Sequence, residues 1–137
     1  MLIYSKEDLL KVEKLKIEKV EAKITEHKHL TLQDDKFIIR SFKSFDEFVE
    51  EGIALKNAIA SYAINRYGND EDILFVLRKT NEPDKPYADI EFDLDGTLRQ
   101  LRIERCLSLT ECDAVEFVMK FKNEVLIPYL NKKLVNK

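Results

Sequence analysis

The hydrophobic pattern changes period several times along the chain. From Ser5 to about Lys28, Leu10, Ile17, Val20 and Ile24, with His27, recur at helical spacing in a stretch otherwise dense in Lys and Glu. This predicts one long amphipathic helix, with Ser5 as its N-cap and Asp8 in the place of a capping-box carboxylate. Its apolar stripe must pack on something, either the domain's own core or another chain. Phe37-Ile38-Ile39-Arg40 follows the turn-like Gln33-Asp34-Asp35 and reads as a strand. Ser44-Phe45-Asp46-Glu47 is a capping box, opening a helix with Phe45, Phe48 and Val49 inward and a stop or kink at Gly52. A second helix runs from about Leu55 to Arg66, with Leu55, Ile59, Tyr62 and Ala63 on one face, and Tyr67-Gly68-Asn69-Asp70 ends it.

Three strands follow. Ile73 to Arg78 is continuously apolar until its last residue, as expected of a central strand covered on both faces. Tyr87 to Leu94 alternates, with Ile90, Phe92 and Leu94 opposite Asp89, Glu91 and Asp93. Asp95-Gly96 signals a two-residue hairpin, and Thr97 to Glu104 is the return strand, with Leu101 and Ile103 opposite Gln100, Arg102 and Glu104. Ser108 or Thr110 caps a final helix whose apolar positions are Val115, Phe117, Val118, Phe121, Val125, Leu126 and Leu130, and Pro128 kinks or ends it. The expected fold is α+β: an antiparallel three- to four-stranded sheet, one face covered by helices, with a long N-terminal helix. Residues 1–34 form that helix and its connector, and 35–137 form the α+β domain.

Composition narrows the class without naming a function. The 137 residues are 45% hydrophobic, enough for one domain with a real core and too apolar for a disordered chain. With 23 basic against 26 acidic residues, bulk electrostatic binding of nucleic acid is not expected. The lysines are unevenly placed, however. Lys11, Lys14, Lys16, Lys19 and Lys23 load the first helix, and Lys120, Lys122, Lys132, Lys133 and Lys137 the last, so a local basic face would form if the fold brings them together. No apolar run is long enough to span a bilayer, and no secretory signal is read in MLIYSKEDLL, so the expected compartment is the cytoplasm.

The search for chemistry is mostly negative. There is no phosphate-binding glycine loop and no nucleophile elbow. His27-Lys28-His29 has spacing that suits a metal on a strand but not on a helix, and no third ligand is near, so solvated surface histidines and no metal are expected. Cys106 and Cys112 have no zinc-ligand partners and no neighbouring His, so neither a disulfide framework nor a catalytic thiol is read from them. The informative polar set lies on the strands. Arg78 ends the central strand, Gln100 and Arg102 share a face of the return strand, and antiparallel pairing brings Glu91 alongside them. This is either a salt-bridge ladder on a solvent face or a polar recognition surface with arginines for phosphate or carboxylate.

From Phe45 to about Phe121 the chain resembles the PcfJ-like proteins of conjugative plasmids, phages and related mobile elements. The resemblance rests on Glu51-Gly52-Ile53-Ala54-Leu55-Lys56-Asn57-Ala58-Ile59-Ala60-Ser61-Tyr62. The family has there roughly Glu-Gly, two variable positions, Leu-His-His-Cys-Val-Gly, one variable position and Tyr. It continues through the apolar strand ending in Arg78, then Pro86 to Phe92, Gln100-Leu101-Arg102 and the helix containing Val115-Glu116-Phe117-Val118. The departures fall on the residues able to do chemistry. Lys56, Asn57 and Ala58 stand at the His-His-Cys positions and Ala60 at the Gly, while Ile103 and Cys106 stand where the family tends to have Gly and then Asn.

The resemblance therefore implies a family member without the His-Cys pair and without a cofactor, keeping Tyr62, Arg78, Glu91, Gln100 and Arg102 as candidate binding residues. The expected function is a non-catalytic interaction module of a phage or other mobile element, binding a host or element-encoded protein. An inhibitor of a host defence system, such as an anti-CRISPR protein, is one concrete form, and pairing of two copies is another use of the first helix. The alternative is a nucleic-acid-binding accessory of plasmid or phage DNA processing.

Overall fold

The computed structural model describes residues 6–103 and 112–135. Ser5, Glu104, Cys106, Ser108, Thr110 and Lys137, which the sequence reading uses, lie outside these residues. The first helix, α1 (Lys6–His27), is followed by two short strands, β1 (Leu32–Gln33) and β2 (Phe37–Arg40). Two helices, α2 (Phe45–Leu55) and α3 (Ile59–Asn65), and a 3-10 turn (Tyr67–Asn69) come next. Then come β3 (Ile73–Lys79), β4 (Ala88–Phe92), β5 (Leu98–Ile103), α4 (Cys112–Phe121) and α5 (Ile127–Val135). The strands form one antiparallel sheet in the order β1-β2-β3-β4-β5. The sheet has five strands rather than three or four, because β1 is only two residues long and too short to carry a period that sequence can reveal.

Helices lie on both faces of the sheet, not on one. On one face Phe121 of α4 meets Phe75 and Phe92 with ring centroids 4.8 and 6.3 Å away, and Phe117 meets Phe37 at 5.6 Å. The other face is closed by α2 and α3. This explains why Ile73 to Leu77 are all buried, as a continuously apolar central strand requires.

The stripe of α1 divides. Val20, Ile24 and His27 are buried, whereas Leu10 is 55% exposed. His27 is therefore not a solvated surface histidine. Its Nδ1 is 2.8 Å from the Tyr67 hydroxyl, and its ring packs against Phe75 and Tyr129. Burial lowers its pKa to about 4, so it is neutral near pH 7. Beside it Glu26 accepts from Lys23 (3.0 Å), Tyr129 (2.9 Å) and Lys133 (3.0 Å), fastening α5 to α1.

Several local expectations shift. Ser44 caps α2 by accepting from the Glu47 N–H at 3.3 Å. The Glu47 carboxylate reaches the Lys43 N–H (2.8 Å) and pairs with both Nη atoms of Arg40, so only half of the capping box is formed. Val49 is exposed, and Glu51 points inward instead. Gly52 does not stop the helix, which ends at Lys56 with φ 54°. The second helix starts at Ile59 rather than Leu55. The β4–β5 loop is Leu94-Asp95-Gly96, one residue longer than expected. Gly96 N donates to Asp93 O at 2.9 Å, and Gly96 sits at φ 91°, which a side chain would strain. Pro128 does not end the last helix. A π turn over Lys122–Leu126, closed by Ile127 N–H to Lys122 O, widens the backbone just before the proline, and α5 continues.

Candidate functional site

The site follows from strand alternation. On the sheet face under α2 and α3, Asp89 is paired in register with Val76 and Arg102, and Glu91 with Leu74 and Gln100. A bulge fixes this arrangement. Phe92 pairs with Leu98 but Glu91 with Gln100, so Arg99 is the extra residue. Without it Arg102 would fall on the opposite face.

Arg78 is almost wholly buried and forks onto Glu51 of α2. Its Nη1 donates to Oε1 at 3.2 Å, and its Nη2 makes a still closer contact with Oε2. Nη1 also donates to the carbonyls of Leu77 (3.2 Å) and Ala88 (3.4 Å). Burial pushes the Glu51 carboxyl up to about 7, against the pull of Arg78.

Arg102 forms the second centre. Its Nη1 donates to Asp89 at 2.9 Å, its Nη2 to Glu91 at 2.7 Å, and its guanidinium carbon lies 4.8 Å from the centre of the Tyr62 ring. Asn57, in the turn between α2 and α3, donates Nδ2 to the other Asp89 oxygen at 2.8 Å. Its Oδ1 accepts from the Ile59 N–H at 3.1 Å, which substitutes for the capping that Ala58 has no side chain to supply. Burial raises the Asp89 pKa, opposed by Arg102 and Asn57.

A third group closes the end of the face. Arg66 Nε donates to Asp72 at 3.0 Å and lies 3.8 Å from Glu91. Asp72 is buried, and its carboxyl is pushed up to about 7 by burial and by its hydrogen bond with Glu91, against Arg66. Glu91 is also raised by burial, but accepting from Asp72 and Arg102 brings its pKa below the usual carboxylate value.

Tyr62, Glu91 and Arg102 thus come together directly, and Arg78 lies beside them through Glu51 and the field of Asp89. Gln100 stands at the exposed rim opposite Glu91. The polar face is not a solvent face, because two helices cover it. Glu51, Asn57, Arg66, Asp72 and Asp89 complete the network. Asp89 was legible from its place two residues before Glu91. Nothing in the spacing marked Arg66 or Asp72.

Four arginines (Arg40, Arg66, Arg78, Arg102) face five carboxyls (Glu47, Glu51, Asp72, Asp89, Glu91), and with Glu51 and Asp72 both pushed up to about 7 the charges come close to balance near pH 7. Such a set holds α2 and α3 on the sheet and leaves little net field for an incoming ion. Among the described residues no three His, Cys, Asp or Glu side chains are placed to hold a metal, and no helix is long and apolar enough to cross a membrane.

These features define an α+β domain whose charged sheet face is closed by a helix pair. A family model described as PcfJ-like protein matches residues 6–114, which include α1 and every residue of the network. The chain belongs to the PcfJ-like protein family. No curated protein and no solved structure matches it.

Proposed function

We propose that this chain is a degenerate, non-catalytic member of its family that binds a protein partner through the first half of α1. In the mobile-element setting that the family resemblance implies, the partner is a host or element-encoded protein, and an inhibitor of a host defence complex is one form this takes. One observation carries the reading. Residues 10–16 of α1 are all exposed, with Leu10 at 55%, Val12 at 48% and Leu15 at 59%, while Val20 and Ile24 of the same helix are core. At 100° per residue, Leu10 and Val12 flank the line of Val20 at about 80° on either side, and Leu15 stands about 140° from it, on the opposite side. A helix with apolar residues on two sides suits insertion into a partner's groove. Burying one such side chain is worth about 1.5–3 kcal/mol.

The charged network supports the non-catalytic half of the reading. Both polar atoms of Asn57 are engaged, and Ala58 offers no nucleophile. The test is affinity capture from a bacterial lysate with the wild-type chain and with a Leu10→Glu/Leu15→Glu variant. A stoichiometric protein retained by the first and lost by the second, with the variant's circular dichroism unchanged, is the expected result. Capture insensitive to the variant, or turnover of a nucleotide or nucleic-acid substrate, overturns it. A gel shift at low salt that titrates with added salt would favour the nucleic-acid accessory instead.

A further inference from the structure

A cleft of 310 Å³ lies between the β1–β2 turn and α4, away from both the charged network and α1. That volume is near the lower end of small-ligand sites, about 300–1,000 Å³. One wall is a pinned turn. Asp34 Oδ1 accepts from the N–H groups of Lys36 (2.7 Å) and Phe37 (2.8 Å), and Thr80 Oγ1 donates to Asp34 O at 2.8 Å. The other wall is one face of α4, and Lys36 Nζ to Asp113 Oδ2 at 3.2 Å ties the two together. The cleft has an aromatic base, Phe37 and Phe117 with ring centroids 5.6 Å apart. Phe37 stacks in turn on Tyr87, and Lys79 lies 4.9 Å over that ring. The aromatic stack therefore already carries one cation on its outer side.

Four carboxylates and two ammonium groups line the cleft. Asp34 is engaged by its own turn, and Asp113 by Lys36. Asp35 and Glu116 have no ion-pair partner among the described residues. We propose that the cleft binds a basic side chain of a partner polypeptide, arginine in preference to lysine. The stem lies on the half-buried Phe37, with Phe117 beneath it, and the guanidinium is shared by Asp35 and Glu116. Arginine is favoured because its flat, weakly hydrated cation stacks on aromatic faces and forks onto carboxylates. Lys120, at the end of the same α4 face, is placed for a carbonyl or carboxylate of the bound chain.

The proposal does not depend on α1 and is tested without the partner. The full chain, labelled with nitrogen-15, is titrated with N-acetyl-arginine amide and, as controls, the norleucine and glutamate analogues. Saturable amide shifts confined to 34–37 and 113–120 are expected with arginine alone, weakening at ~1 M salt, where the screening length falls to about 3 Å. An Asp35→Asn/Glu116→Gln variant with an otherwise unchanged spectrum should bind roughly tenfold more weakly, the equivalent of two exposed ion pairs. No saturation, an equal response to norleucine, saturation by the glutamate analogue, or unchanged affinity in the double variant overturns it.

Discussion

The two members of the Arg78–Glu51 pair are not equally easy to strand. A carboxyl that burial pushes up to about 7 can take a proton when its partner is removed, whereas a guanidinium keeps its charge at any pH of interest. Glu51→Leu leaves Arg78 buried and charged against two carbonyls, at a cost of about 3–5 kcal/mol. Arg78→Leu leaves a carboxyl that neutralises itself, and the cost falls to about 1–3 kcal/mol for an unsatisfied polar group. Urea denaturation at pH 7 of the two variants measures the difference. Equal losses, or a larger loss for Arg78→Leu, would show that the guanidinium is not sealed in by α2. The double replacement should recover much of the loss, since an apolar pair of similar volume suits the site.

At the scale of elements, the α2–α3 turn depends on one side chain. Asn57 both caps α3 and supports Asp89, so Asn57→Ala should cost about 1–2 kcal/mol. Asn57→Asp keeps the cap but sets a second carboxylate against the buried Asp89, and should cost more than alanine at pH 7. Denaturant melts of the pair decide, and an aspartate variant as stable as wild type defeats the assignment. This turn also shows where sequence reasoning stops. The continuous apolar run of β3 was readable as a strand covered on both sides, and the alternation of β4 and β5 correctly placed Glu91 with Arg102. Alternation says which residues share a face, but not whether water or a helix covers it. The cover here is α2, whose inward Glu51 no apolar period marks, because its partner Arg78 is far along the chain. Likewise β1 was too short to show a period, and the π turn before Pro128 leaves no mark beyond the proline itself.

At the scale of the whole molecule, the response of stability to pH is a sum of opposed terms. His27 is a base whose folded pKa, about 4, lies below its ordinary 6.5 because it is buried. The unfolded chain binds its proton first. Its contribution is complete above about pH 6.5 and is lost as pH falls toward 4. Glu51 and Asp72 act in the reverse sense. Burial raises both to about 7, so the stability they contribute is complete below their ordinary values and is lost as pH rises through 7. Of these three terms, two fall and one rises between pH 4 and 7, so their sum should decline across that window. His27→Phe separates them. It leaves the Tyr67 hydroxyl without its partner at every pH, a constant loss, and removes the His27 term, which falls on the acid side of that window. The advantage of wild type over His27→Phe should grow by about 3 kcal/mol from pH 4 to 7, at 1.36 kcal/mol per unit. Chemical denaturation of both proteins across that range gives the difference curve directly. A difference that stays constant would mean that His27 titrates normally in the folded chain, and that the junction of α1 with the 3-10 turn and α5 is open to water.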